Sequence, residues 1–173
     1  RHDNDYSDDV KDEYRQDIDL MDTYILGKLN STWDIKIGRQ VAIWGYSDNL
    51  RVLDVLNPLD NLEPGLADIE DLRLATTMIR LDGFYDAWQT SFFLIPEMRF
   101  SRNAPQGSDY AIGLSGTIGN LSLHEEEPDH LQRPNLAASL KGTFSGWDIS
   151  VNVARLWYDQ AYLDTSMVEF SAP

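Results

Sequence analysis

The sequence predicts an all-β chain of antiparallel up-and-down hairpins, forming part of a transmembrane β-barrel with long loops on one side. Three observations carry this. Apolar and polar residues alternate with a period of two in several strand-length runs. Three tight turns, in "LNSTWDI", "YDAWQT" and "FSGWDI", are each followed at once by a tryptophan. Short turns also alternate with long connections, as they do in an outer-membrane barrel.

The chain of 173 residues has room for one domain, and the hairpins fall at about 15–45, 76–100 and 135–158. Residues 1–14 are acidic and polar and read as a solvated loop or tail. They resemble an EF-hand loop only loosely, because the required glycine and closing glutamate are out of place. The first residue is Arg1 rather than Met. The chain is therefore expected to be processed or a fragment of a larger barrel.

In the first hairpin, Ile35, Ile37, Val41 and Ile43 share a face that is interrupted by Arg39. Taking Asn30-Ser31 as a two-residue turn sets Leu26 opposite Ile35, Tyr24 opposite Ile37 and Asp22 opposite Arg39. The two exceptions to the apolar pattern then form a cross-strand ion pair. A slip of one residue would set Arg39 opposite Thr23 and remove the match.

The second hairpin registers on Asp86-Ala87, which sets Tyr85 opposite Trp88, Leu81 opposite Phe92 and Ile79 opposite Leu94. Pro96 should end its pairing. The third registers on Ser145-Gly146. Phe144, Gly142, Leu140 and Ala138 then face Trp147, Ile149, Val151 and Val153 on an apolar side. Thr143, Lys141 and Ser139 meet Asp148, Ser150 and Asn152 on a wet one. The long loops, 46–75 and 101–134, are rich in Pro, Gly, Asn and Asp. Within the first, a short helix is expected, with Ser47 as its cap and Pro58 beyond its end.

Composition narrows the function. There are 29 acidic and 14 basic side chains, a net charge of −15, which repels nucleic acid and anionic headgroups. Cysteine is absent, which excludes disulfide and thiolate chemistry. No apolar run approaches the 18 or so residues of a membrane-spanning helix. Alternation alone also describes a soluble envelope β-domain, a sandwich or lipocalin-like barrel that binds a ligand or protein partner. Trp33, Trp88 and Trp147 favour the bilayer, since they recur just inside the turns, where an interfacial girdle belongs.

The run "IGRQVAIWGYSDNLRVLDVLNPLDNLEPGLADIEDLR", and the later "IPEMRFSRNAPQGSDY", resemble an uncharacterised family of Gram-negative outer-membrane proteins described as porin-like. The likeness spans most of residues 20–160, and Gly38 to Arg73 is its specific part. Family members run to several hundred residues, which implies that this chain is the early part of a barrel. The resemblance also implies a bacterial outer-membrane location and traffic in lipid or hydrophobic compounds. Companion lipoproteins and an exporter are the implied transport partners.

On this reading the protein is a porin-like channel or transport protein, not an enzyme, for a small molecule of apolar or lipid-like character. Its partners are the bilayer, that substrate, further copies of itself or envelope transport proteins. Lys36, Gln40, Arg80, Asp82, Lys141 and Asn152 are the expected lumen or ligand-facing residues. Phe93, Ile95, Met21 and Trp44 add apolar patches to the same faces. An acidic loop cluster, Asp60, Glu63, Asp68, Glu70 and Asp71, is a candidate for Ca²⁺, for a partner, or for narrowing the pore as an inward-folded loop. Its plainer reading is a surface loop held by its own Leu and Ile residues. His124, Glu126 and His130 are weak metal candidates in a charged loop tip, and no cofactor is expected. Neither a catalytic Ser/His/Asp order nor a phosphate-cradling motif is present.

Overall fold

The structure is a computed structural model. It describes residues 19–43, 55–63, 65–66, 68, 71–105, 108–110, 123–124, 134–157 and 162–163. Ten strands lie in it: β1 (Thr23–Lys28), β2 (Trp33–Gln40), β3 (Asp60–Asn61), β4 (Thr76–Tyr85), β5 (Trp88–Ile95), β6 (Arg102–Asn103), β7 (Leu123–His124), β8 (Asn135–Phe144), β9 (Trp147–Arg155) and β10 (Tyr162–Leu163). Among the described residues there is no helix. The acidic stretch 1–14 and residues 47–54 of the expected helix lie outside the described residues. Residues 55–57, its expected end before Pro58, are not helical.

Six strands form one antiparallel up-and-down sheet in the order β1-β2-β4-β5-β8-β9. Within it β1 and β9 each have a single neighbour, so the sheet is open. All three tight turns lie at one rim. The connections from β2 to β4 and from β5 to β8 leave from the other. There β3 and β6 pair in parallel, drawing the two long connections together.

The second and third hairpins have the expected registers. Tyr85 meets Trp88 and Leu81 meets Phe92, while Phe144 meets Trp147 and Ala138 meets Val153. Two-residue turns fix both. Asp86 takes a left-handed φ of 49° and Gly146 one of 91°, which a tight hairpin turn requires.

The first hairpin is shifted by one residue. Thr23, not Asp22, lies opposite Arg39, and Ile25 lies opposite Ile37. The cause is the turn, which has three residues rather than two. The Asn30 side-chain oxygen accepts from the N–H groups of Thr32 (2.8 Å) and Trp33 (3.0 Å), winding the chain once more before β2 begins. Leu29 N–H closes the loop on the Trp33 carbonyl at 2.9 Å. Every side chain of β1 therefore changes face. Ile25 joins the apolar side, and Tyr24 and Leu26 leave it.

The two faces of the sheet differ in kind. Along one run Ile25, Ile35, Ile37, Ile79, Leu81, Phe92, Leu94, Leu136, Leu140, Val151 and Val153. Nothing among the described residues covers its outer part, and Val151 and Val153 are 62% and 66% exposed. The other face carries the charged and hydroxylic residues, yet the core lies there. Met78, Phe93, Ile95 and Ala137 pack with Ala42 and Leu56 at the long-loop end. The connection through residues 55–62 folds over this end, burying Leu56, Asn57, Pro58 and Leu62. Asn57 fixes it by accepting from Ala42 N–H (2.9 Å) and donating to the Ala42 carbonyl (2.7 Å).

Candidate functional site

The polar face of the sheet is the candidate site, and the pairing lays out its rows. Nearest the turns, Gln89 lies between Lys141 and Phe84, and Lys141 also faces Ser150. Next come Asp34, Asp82, Ser91, Ser139 and Asn152, side by side across five strands. Then come Lys36, Arg80, Phe93 and Ala137. Alternation in each strand sends these residues to one side, so five of the six expected positions share a surface. Gln40 lies on the same side, but at the far end and fully buried. Its amide donates to the Met78 carbonyl at 3.3 Å, so it belongs to the core under the loop and not to an open surface.

The cations here are held by neighbours. The Arg80 Nε donates to Asp82 at 2.8 Å, and the Ser91 hydroxyl donates to the same carboxylate at 2.5 Å. The guanidinium also lies 5.4 Å from the Phe93 ring centre. Two acids, Asp34 and Asp82, would repel each other directly across β2 and β4. Arg80, two residue pairs away on the same face, offsets that repulsion. Lys36 reaches over the Tyr24 ring at 3.6 Å, a contact created by the shifted register of β1. Phe93 and Ile95 lie on this side as expected and are buried. Met21 precedes β1 and is exposed, and Trp44 lies outside the described residues.

The expected Asp22–Arg39 pair is replaced by a four-membered network. Arg39 bonds Asp19 at 3.1 Å and Glu97 at 3.2 Å. Asp19 also holds Arg99 at 2.6 Å. Glu97 accepts from Thr77 N–H at 2.6 Å, and Arg99 donates to the Ala75 carbonyl at 2.8 Å. Asp22 instead accepts from Val41 N–H at 3.4 Å. Arg39 sits two residue pairs beyond Ile37 and Ile79, where the apolar rows stop, so the guanidinium marks the end of the apolar band.

The acidic loop residues are not gathered. Asp60 pairs with Arg102 at 3.3 Å, linking β3 to β6. Glu63, Asp68 and Asp71 are exposed, and Glu70 lies outside the described residues. Among the described residues no three His, Asp or Glu side chains are grouped to hold a metal ion. Glu126, His130 and the His124 side chain lie outside them.

At the turn rim the aromatic residues form two clusters. Trp33 stacks near Phe92 at 6.3 Å and meets Tyr85 edge-on at 6.1 Å, donating its indole N–H to the Tyr85 hydroxyl at 3.0 Å. Trp88 meets Phe144 edge-on at 5.4 Å, and Phe144 stacks on Trp147 at 4.8 Å.

Asp19, Asp34, Asn57, Glu97 and Arg99 are the contributors that sequence reasoning missed. Asp34 was legible, since it falls on the polar side of a strand already placed. The others act from connections, where no periodicity marks them. No curated protein and no solved structure matches the chain. Residues 1–126 match the family described as "Protein of unknown function (DUF1302)", and the chain belongs to that family.

Proposed function

We propose that this sheet is a segment of the wall of a bacterial outer-membrane β-barrel. Its apolar face meets lipid, and its polar face lines a passage for a small molecule of apolar or lipid-like character. The observation that carries this reading is the inverted burial of the sheet. In a water-soluble sandwich the apolar face is the covered one. Here, among the described residues, the apolar face is bare across five strands, while charged and hydroxylic residues lie on the face that packs against the loops.

The dimensions support it. Strands β2, β4, β5, β8 and β9 have 8 to 10 residues, close to the 9–11 of a tilted membrane strand. From Leu136 to Phe144 the apolar residues of β8 cover about 26 Å at about 3.3 Å per residue. At the tilt of about 35–45° usual in such barrels this length rises about 18–22 Å, most of a lipid-facing band about 25 Å tall. Aromatic residues bound this band at the turn rim, and the Arg39 network bounds it at the other. Lys36, Arg80, Asp82, Lys141 and Asn152 give the passage its polar character, and Tyr24 and Phe93 its apolar part. The loop through 55–62, folded onto this side, narrows it. In lipid, the free edges of β1 and β9 require further strands, from more chain, a second copy or an envelope partner. The role is transport, with no catalytic step.

Brominated lipids test the reading. With the protein in bilayers, Trp33, Trp88 and Trp147 should be quenched most by bromines near the headgroup. A chain that stays folded and monodisperse in detergent-free buffer, with fluorescence untouched by brominated lipid, would overturn it in favour of a soluble envelope domain.

A further inference from the structure

A cavity of about 410 Å³ lies at the long-loop end, between the sheet and its own connections. Its size falls in the range of small-molecule sites. Leu56, Ile95, Leu156 and Trp157 supply apolar wall, and Thr76 and Arg99 supply polar groups.

Thr76 is the informative residue. It is 2% exposed, lines the cavity, and its hydroxyl has no hydrogen-bond partner. Gln40, directly opposite on β2, is 0% exposed, and its side-chain oxygen has no partner either. Two adjacent buried polar groups left unsatisfied are costly unless something else meets them. The charged groups at the cavity make no such demand. Arg99 is matched by Asp19 and the Ala75 carbonyl, and Glu97 by Arg39 and Thr77 N–H.

We infer that this cavity binds a neutral, mainly apolar small molecule carrying one hydroxyl group, an alcohol or a phenol. Thr76 lines the cavity and Gln40 lies behind it, so the group to be met is the Thr76 hydroxyl, and a ligand hydroxyl can pair with it either as donor or as acceptor. The balanced charges disfavour a carboxylate or an amine, either of which would lose its hydration for no new ion pair. The cavity lies between the sheet and the chain's own loop, on the side away from the apolar face, so this inference stands whether or not that face meets lipid.

Trp157 provides the readout, since it lines the cavity and a bound bromine quenches it. The probes are 4-bromophenol, 4-bromotoluene and 4-bromobenzoate, titrated against the full chain in the medium where it is folded. Saturable quenching by 4-bromophenol is expected at a concentration about tenfold below that needed for the other two. That quenching should vanish in Trp157→Phe. Thr76→Val should lose the preference for the phenol, and Thr76→Ser should keep it. Near-ultraviolet dichroism checks each fold. Should Thr76→Val unfold, the three probes on the unaltered chain decide alone. Equal quenching by all three, quenching that survives Trp157→Phe, or no saturable quenching would each overturn the inference. The last result would assign the two polar groups to water.

Discussion

Trp33 lies flat against Gly83. A Cβ built on that glycine would come within 2.8 Å of two carbons of the indole ring. The relationship repeats one hairpin later, where a Cβ on Gly142 would reach 2.8 Å from both Trp88 and Phe144. In each case a ring from the neighbouring strand covers the gap left by the missing side chain. The glycines thus let the aromatic clusters lie close to the sheet, where large side chains would otherwise stand away from it.

Gly83→Ala and Gly142→Ala should each lower stability by about 1–3 kcal/mol, the usual cost of overpacking. Gly27→Ala is the internal control. Its new methyl would meet Ile35 Cγ2 at 3.5 Å, an ordinary contact. It should be near neutral, or stabilising by up to about 1 kcal/mol through the unfolded chain. Urea unfolding of the three variants measures this. Equal effects at all three sites would mean that the rings do not depend on the glycines.

The Arg39 network gives a test of register. A double-substitution cycle of Arg39→Leu with Glu97→Gln should show a coupling of about 1 kcal/mol, modest because both side chains are about a quarter exposed. Arg39→Leu with Asp22→Asn should show none. Strong coupling to Asp22 would restore the two-residue turn and reverse every face of β1.

Asn57 holds the covering loop to the sheet with two hydrogen bonds to the Ala42 backbone. Asn57→Leu has a similar volume but leaves a buried N–H and C=O unpaired. Each such group costs about 1–3 kcal/mol. The variant should expose residues 55–63 to protease well before the hairpins unfold. Cleavage at the wild-type rate would show that the loop is held by its leucines instead.

Hairpins with two-residue turns were fully legible in the sequence. Asp86-Ala87 and Ser145-Gly146 leave one register that matches apolar residues to apolar residues, and the structure has it. The first hairpin was misread because Asn30 uses its side chain to lengthen the turn, and a pairing of Asp22 with Arg39 looked like confirmation. Arg39 finds its partners 20 and 58 residues away, in segments that carry no strand periodicity. The same holds for Asn57 and for the parallel contact of β3 with β6. Loop-to-sheet contacts over such distances leave no local pattern to read. The polar side of the sheet was visible as alternation. That one end of it is buried, with Gln40 inside, depends on where the loop folds.

The identity of the medium against the apolar face can be decided on a single strand. Val151 and Ser150 are neighbours on β9, exposed on opposite faces. Val151 lies mid-band, opposite Leu140, and Ser150 lies opposite Lys141. If the apolar face meets water, arginine at either position should change stability by no more than about 0.5 kcal/mol, as surface substitutions do. If it meets lipid, the two must differ. Val151→Arg would place a guanidinium near the bilayer midplane, at a cost of about 2–4 kcal/mol. Ser150→Arg would project into the passage and stay hydrated, at little cost. Unfolding both variants in the same bilayers measures the difference. A gap of about 2 kcal/mol or more supports the wall of a barrel. Equal stabilities would show that the bare apolar face does not meet lipid, and the transport reading would fall with it.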